Sequence, residues 1–216
     1  MTDLSTQSPW HLVVPVKGGP QAKSRLTAPD GVDHGSLATA FALDTVTAAA
    51  AAVGALHVLV VTSGAGITEQ VAALGVRVLA DPGSGLNPAI SAGLADLHRA
   101  GFDGPTGVLL GDLPAVRVGE LRQALEASDH GGPRFVPDTE GTGTVLLTGP
   151  SPPQVEPHFG AGSASAHEQA GHGRLELDLP GLRTDVDDET SLRAVLCLGV
   201  GTHTARLLAH LITPPR

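Results

Sequence analysis

Short apolar runs alternate with longer amphipathic or alanine-rich stretches over the first 130 residues. The apolar runs are rich in Val and Leu and predict buried strands at residues 11–16, 58–61, 77–80 and 107–110. The stretches that follow them predict helices at residues 37–53, 68–74, 88–100 and 118–128. Strands that alternate with helices at this spacing predict a parallel sheet with right-handed crossovers.

The pattern changes after residue 130. Residues 134–136 and 144–147 read as two strands joined by a turn, which predicts a small antiparallel insertion. Further elements are predicted as a helix at 164–170, a strand at 175–179 and helices at 191–198 and 204–211. No internal repeat or long linker divides the sequence. We therefore predict one α/β domain over residues 1–216, with a mostly parallel central sheet flanked by helices, and a flexible segment at 1–10.

Composition excludes several classes of protein. The 216 residues include 41% hydrophobic and only 16% charged side chains, which argues against a disordered chain. A net charge of −9 argues against nucleic acid as a partner. The most apolar window, residues 48–61, is interrupted by Gly54 and His57 and is too short to cross a bilayer, so we expect a cytoplasmic protein without a membrane partner. Cys197 lies in an apolar helical run and is expected to be a buried thiol.

The segment after the first predicted strand could bind phosphate. Its glycines allow backbone N–H groups to approach an anion closely, and Lys17, Lys23 and Arg25 supply positive charge. The segment lacks the ending of a P-loop, and a solvated surface turn would have the same composition. Its place at the carboxyl end of a strand favours the phosphate interpretation, because ligands of open parallel sheets bind there.

Aspartates follow the later strands. Asp112 comes directly after an apolar strand, where it could hold Mg²⁺ or form a turn, and the next helix begins too late for Asp112 to cap it. Asp185 and Asp187 are two residues apart, so an extended segment would point both to one side. Helix capping explains these acids equally well when they are considered alone, and suits Asp188 better. With Asp112, a three-carboxylate metal site is the better account.

Two glycine-containing segments could contact a small anion. Gly160, Gly162 and Ser163 lead into a short predicted helix, with Ser163 as its N-cap and free N–H groups pointing outward. Thr144 belongs to a Gly-Thr-Gly-Thr stretch that fits either a hairpin turn or a substrate contact. The ten histidines match no zinc-binding spacing, and most are expected at the surface.

Taken together, these segments resemble the guanylyltransferases of deazaflavin coenzyme F-420 biosynthesis, which transfer GMP from GTP to 2-phospho-L-lactate or phosphoenolpyruvate. The matching segments are VVPVKGGPQAKSRL (13–26), ADPGSGLNPAI (80–90), VLLGDLPAV (108–116), DTEGTGTVLL (138–147), HFGAGSASAH (158–167) and RTDVDDETSL (183–192). They follow one another over nearly the whole chain, and the pattern is closest to the bacterial branch that uses phosphoenolpyruvate. The resemblance implies a nucleotidyltransferase fold like that of molybdenum-cofactor guanylyltransferases.

The resemblance also implies roles for individual residues. Asp112, Asp185 and Asp187 would hold Mg²⁺, for which Mn²⁺ could substitute. Thr144, Gly160 and Ser163 would contact the phosphorylated acid. The GTP phosphates would face Lys17, Lys23 and Arg25, the nucleoside would lie near Asp81 and Asn87, and the catalytic set would be Lys17, Lys23 and Asp112.

The implied partners are GTP, a small phosphorylated carboxylic acid and the next enzyme of the pathway. Two alternatives remain open at this point. One is a nucleotidyltransferase with another acceptor, such as a sugar phosphate or molybdopterin. The other is a nucleotide-binding module without catalytic activity.

Overall fold

A computed structural model describes residues 9–16, 28–29, 31–129 and 131–209 of the chain. The strands are β1 (His11–Val16), β2 (Val58–Thr62), β3 (Arg77–Ala80), β4 (Thr106–Leu109), β5 (Arg134–Pro137), β6 (Thr144–Gly149) and β7 (Gly173–Arg174). The helices are α1 (His34–Val53), α2 (Ala65–Ala72), α3 (Leu86–Arg99), α4 (Val118–Ser128), α5 (Ser163–Gln169), α6 (Pro180–Arg183), α7 (Glu189–Leu198) and α8 (Thr202–Leu207). These strands and helices form the single α/β domain that the sequence pattern predicted.

Within the described residues the strands form one sheet, in the order β3-β2-β1-β4-β6-β5-β7. β1 pairs in parallel with β2 and β4, and β2 pairs in parallel with β3. β6 runs antiparallel to both β4 and β5, which confirms the predicted antiparallel insertion in a mostly parallel sheet. Parallel pairing places the carboxyl ends of β1, β2, β3 and β4 at one edge, and this edge carries the candidate site.

Helices cover both faces of the sheet, so its central strands are apolar throughout rather than alternating. In β1, Leu12 and Val14 face a core cluster that contains residues of α1, α2 and α4. Val13 faces the other cluster, formed with α3. Gly93 of α3 permits the close approach of that helix, because a Cβ at this position would lie 2.7 Å from Cγ1 of Val13.

Helix α1 is the longest element and forms part of the core. Its N-cap is Asp33, whose side chain accepts a hydrogen bond from the N–H of Ser36, and Gly54 ends it with a φ of 95°. Its 20 residues are long and apolar enough to cross a membrane by length and composition alone. However, 56% of that apolar window is buried inside the domain, and α1 packs against α4, α8, β1 and β2. These contacts are typical of a core helix.

The predicted strand at 175–179 is wrong, because the strand stops at Arg174. Leu175 still donates its N–H to the carbonyl of Phe135, but the next rung requires an N–H from Pro137, which proline lacks. The carbonyl of Pro137 instead accepts a hydrogen bond from the side chain of Arg183. The prediction that Cys197 is buried is also wrong, since its side chain is exposed.

Candidate active site

Contacts of the two neighbouring residues fix the main chain around Asp112 at the carboxyl edge of the sheet. The preceding Gly111 passes so close to β1 that a Cβ there would lie 2.8 Å from the carbonyl oxygen of Pro15. The following residue, Leu113, donates its N–H to the buried hydroxyl of Thr45 on α1, at 3.1 Å. The conformation of this loop is therefore fixed on both sides of the aspartate.

Asp185 and Asp187 lie next to Asp112 in an extended segment. The N–H of Val186 donates to the carbonyl of Asp112 at 3.2 Å, and the Val186 side chain is completely buried in a cluster formed with residues of α1 and α7. Because side chains alternate along an extended segment, Asp185 and Asp187 point away from that cluster. Asp188 is the N-cap of α7 and forms a capping box with Ser191, as the sequence indicated.

The structure brings the three predicted carboxylates together. One oxygen atom each from Asp112, Asp185 and Asp187 lies within 4.8 Å of the other two. Ligand oxygens around Mg²⁺ at about 2.1 Å are separated by about 3 Å when adjacent and about 4 Å when opposite. The spacing of the carboxylates and their purely oxygen donor set therefore fit a hard divalent cation.

Thr144 begins β6 at the same edge and lies next to this cluster. The N–H of Leu110, at the end of β4, donates to the carbonyl of Val145 at 3.0 Å. Asp112 and Thr144 therefore lie on the two chain segments joined by this rung. The Thr144 side chain is only 2% exposed, and its Oγ1 lies 2.9 Å from Nδ1 of His167.

The segment before α5 differs from the prediction in one respect. Gly162, in the left-handed conformation with a φ of 72°, is the N-cap, and Ser163 is the first helical residue. The N–H of Ser163 donates to the carbonyl of Gly160, and that of Ala164 donates to the carbonyl of Thr142. The expectation of Ser163 as an N-cap with free N–H groups is therefore wrong, because these two groups already have partners. Ser163 is buried and Gly160 is exposed.

Asp81 and Asn87 flank the loop that the resemblance implies to lie near the nucleoside, Asp81 directly after β3 and Asn87 in the first turn of α3. Asp81 accepts a hydrogen bond from the N–H of Gly83 and so shapes the turn. Asn87 donates its amide to the carbonyl of Phe159 and accepts from the N–H of Phe159, both at 2.9 Å. The side chain of Asn87 therefore joins the start of α3 to the segment that contains Gly160.

Sequence reasoning missed His167. This histidine was expected at the surface but is completely buried, as His172 nearly is. Burial, together with the neighbouring His172 and His158, lowers the pKa of His167 to about 4. Its position three residues after Ala164 on the short helix α5, facing the sheet, is the signal that could have found it.

The three basic residues of the first loop, Lys17, Lys23 and Arg25, lie outside the described residues. Their predicted contacts with the GTP phosphates stay predictions. The strand that leads into this loop ends at Val16, beside Gly111. The loop therefore starts from the edge that carries Asp112.

Comparisons with known proteins agree with this architecture. The family model of the MobA-like NTP transferase domain matches residues 37–175. The chain is 45% identical over 207 residues to phosphoenolpyruvate guanylyltransferase of Streptomyces coelicolor, covering 94% of this chain and 97% of that protein. It is 43% identical over 212 residues to the protein of the same name from Geodermatophilus obscurus, covering 95% and 96%.

Solved structures with lower identity share the fold. A cytidylyltransferase from Leptospira borgpetersenii superposes with a TM-score of 0.55 at 15% identity, covering 94% of this chain and 93% of its own. Rv0371c of Mycobacterium tuberculosis, in a complex with manganese, superposes with a TM-score of 0.57 at 20% identity, covering 88% and 99%.

Proposed function

The chain belongs to the MobA-like NTP transferase family and, within it, to the phosphoenolpyruvate guanylyltransferases, and we propose that it transfers GMP from GTP to the phosphate of phosphoenolpyruvate. The observation that carries this proposal is the convergence of Asp112, Asp185 and Asp187 next to Thr144 at the carboxyl edge of the sheet. This edge combines a set of ligands for a cation with a hydroxyl that can bind an anionic acceptor.

The reaction joins two anions. A phosphate oxygen of the acceptor attacks the α-phosphorus of GTP, the bond from that phosphorus to the oxygen bridging to the β-phosphate breaks, and pyrophosphate leaves. The acceptor phosphate already carries negative charge near neutral pH, because its second pKa is about 6. No general base is therefore required, and catalysis consists of positioning the two phosphates and neutralising their repulsion.

Asp112, Asp185 and Asp187 would hold a divalent cation, Mg²⁺ or Mn²⁺. Such an ion supplies positive charge to the phosphate oxygens in phosphoryl-transfer enzymes. Carboxylates are the ligands that both of these cations prefer. The structural neighbour from Mycobacterium tuberculosis was solved with manganese, which supports a divalent ion in this fold.

The remaining residues of the site orient the two substrates. Thr144 donates a hydrogen bond to the phosphorylated acid, and Gly160 and Ser163 line its other side. As the resemblance implies, Lys17, Lys23 and Arg25 neutralise the triphosphate, and Lys17 and Lys23 belong to the catalytic set. The segment from Asp81 to Asn87 borders the nucleoside.

We expect this activity in the cytoplasm, in line with the resemblance to the coenzyme F-420 guanylyltransferases. The product is a guanylylated diphosphodiester, an activated compound that the next enzyme of the pathway consumes. Phosphoenolpyruvate is proposed as the acceptor rather than 2-phospho-L-lactate, because the curated relatives carry the former in their names.

A pyrophosphate-release assay tests the proposal with each of the four nucleoside triphosphates and with phosphoenolpyruvate, 2-phospho-L-lactate and a sugar 1-phosphate as acceptors. We expect GTP with phosphoenolpyruvate to give the highest kcat/KM, at least roughly tenfold above ATP, which corresponds to about 1.4 kcal/mol. Equal use of ATP would contradict the guanylyl assignment. Preference for the sugar phosphate would move the chain to another acceptor, and no release at all would favour a non-catalytic nucleotide-binding module.

A further inference from the structure

His167 connects three parts of the site without being exposed to solvent. It projects from α5, its Nδ1 lies 2.9 Å from Oγ1 of Thr144, and its Nε2 lies 3.0 Å from the main-chain nitrogen of His158. The ring is also packed against the rings of Phe135 and Phe159. These contacts fix both the position and the orientation of the imidazole.

The hydrogen bonds determine which nitrogen of His167 carries the proton. A main-chain N–H can only donate, so Nε2 must accept the hydrogen bond from His158 with its lone pair. A neutral imidazole with an unprotonated Nε2 has its single proton on Nδ1. Burial beside His158 and His172 lowers the pKa of His167, which keeps the ring neutral at ordinary pH. Nδ1–H is therefore the donor to Thr144.

This assignment constrains the hydroxyl group of Thr144. Because its oxygen accepts from His167, its own proton is available for a second hydrogen bond. Across the described ranges of the chain, the contact with His167 is the one hydrogen bond found for this hydroxyl. A donor of this kind at the entrance of β6 suits an anionic ligand, since hydrogen bonds to charged groups are the stronger ones.

We propose that His167 is a positioning residue, which donates from Nδ1 to Thr144 and so directs the Thr144 hydroxyl proton to a phosphate or carboxylate oxygen of the acceptor. This inference rests on the proposed function, because it assigns Thr144 to the acceptor rather than to GTP. His167 itself touches neither substrate. Its effect is to make Thr144 a donor whose direction is set before the acceptor binds.

Two substitutions of His167 separate its two hydrogen bonds. In His167→Asn the side-chain amide nitrogen can replace Nδ1 as donor to Thr144, while the bond from His158 is lost. In His167→Gln the amide oxygen can replace Nε2 as acceptor from His158, while the bond to Thr144 is lost. We expect His167→Gln to raise the KM for phosphoenolpyruvate roughly tenfold or more, and His167→Asn to raise it much less. The KM for GTP should stay unchanged in both variants.

Thr144→Val completes a double-mutant cycle with His167→Gln. In this background His167→Gln should cause no further increase in the acceptor KM, because the hydroxyl that His167 orients is already absent. A purely structural role of His167 would instead give equal losses in His167→Asn and His167→Gln, and additive losses with Thr144→Val. Either of those results would overturn the proposal.

Nitrogen-15 NMR of the histidine side chains in the wild-type protein gives a readout that depends on neither activity nor folding of the variants. At pH 7 we expect the His167 ring to be neutral with its proton on Nδ1. The signals of this ring are identified by assigning the labelled histidine residues. A proton on Nε2, or a protonated ring, would overturn the proposal. The wild-type assay separates the two claims: failure to transfer GMP to phosphoenolpyruvate removes the proposed function, whereas a wrong tautomer in an active enzyme removes only the role of His167.

Discussion

The carbonyl oxygen of Asp112 accepts a hydrogen bond of 3.2 Å from the main-chain N–H of Val186. This single bond connects two segments that are more than 70 residues apart in the sequence. Because Val186 is buried, its neighbours Asp185 and Asp187 are turned toward Asp112. The main chain of these two segments therefore brings the three carboxylates together at one place.

Replacing any of these three carboxylates by its amide should remove catalysis while the fold remains. We expect Asp112→Asn, Asp185→Asn and Asp187→Asn each to lower kcat/KM by at least roughly a hundredfold, because the amide is a weaker ligand for a hard cation. Asp188→Asn is the matched control, since asparagine also caps helices well and Asp188 serves α7. Its activity should stay near wild type. EDTA should abolish wild-type activity, and Mg²⁺ or Mn²⁺ should restore it. A fully active Asp185→Asn enzyme would exclude that residue from the mechanism.

Thr45 on α1 holds the loop that contains Asp112 by accepting a hydrogen bond from Leu113. Thr45→Val leaves the buried N–H of Leu113 without its hydrogen bond, which should lower the free energy of unfolding by about 1–3 kcal/mol. The same change should raise the Mg²⁺ concentration needed for half-maximal activity, because Asp112 directly precedes Leu113 and is positioned by the same loop. Thr45→Ser retains the hydroxyl and serves as the control. If Thr45→Val lowers the free energy of unfolding but does not raise the Mg²⁺ concentration needed for half-maximal activity, the hydrogen bond stabilises the fold without positioning Asp112.

Asn87 offers a test between two roles. If its amide serves mainly to hold the main chain of Phe159, Asn87→Ala should raise the acceptor KM roughly tenfold, because the segment with Gly160 loses two hydrogen bonds. Steady-state kinetics with each substrate varied in turn measures this. An increase confined to the KM for GTP would show instead that Asn87 contacts the nucleotide directly.

His167 also predicts how stability depends on pH. Its pKa is about 4 in the folded protein and near 6.5 when unperturbed, so the unfolded chain takes up the proton first as pH falls. The stability linked to neutral His167 is complete above about pH 6.5 and is lost between about 6.5 and 4. A lowering of the pKa from 6.5 to about 4 corresponds to about 3 kcal/mol. Burial lowers the pKa of His172 as well, and this adds in the same direction.

Urea unfolding of wild type and His167→Asn from pH 7 to pH 4 measures this effect. The variant should lose less stability over the interval than wild type, since it lacks the buried imidazole. Parallel curves for the two proteins would show that His167 does not contribute to the pH dependence. His158 and His172, which face His167, remain in both proteins.

The sequence predicted the elements that depend on local pattern. The bounds of β1, β3 and α4 agree with the prediction because each is a short apolar run or an amphipathic stretch with clear ends. The spacing of Asp185 and Asp187 likewise indicated a shared direction. Local pattern also misled at residues 175–179, since the alternating leucines at 175, 177 and 179 look like a strand but lack a partner beyond Pro137.

The features that sequence did not predict depend on distant contacts. The spacing from Ala164 could indicate that His167 is buried, but it does not indicate that β6 and the His158 segment enclose the ring. The partner of the Ala164 N–H group, the carbonyl of Thr142, becomes apparent only once the turn at 138–143 is in place. The two hydrogen bonds of Asn87 were likewise not indicated by the sequence, because their partner Phe159 is 72 residues away.

Phosphorus-31 NMR of the purified protein with GTP, phosphoenolpyruvate and Mg²⁺ tests the central claim most directly. Transfer of GMP to the acceptor phosphate makes a diphosphate bridge between two different groups. We therefore predict a pair of coupled resonances from this bridge, growing together with one equivalent of inorganic pyrophosphate as GTP and phosphoenolpyruvate disappear. Pyrophosphate release without the coupled pair, or an unchanged phosphoenolpyruvate resonance after GTP has been consumed, would contradict the account.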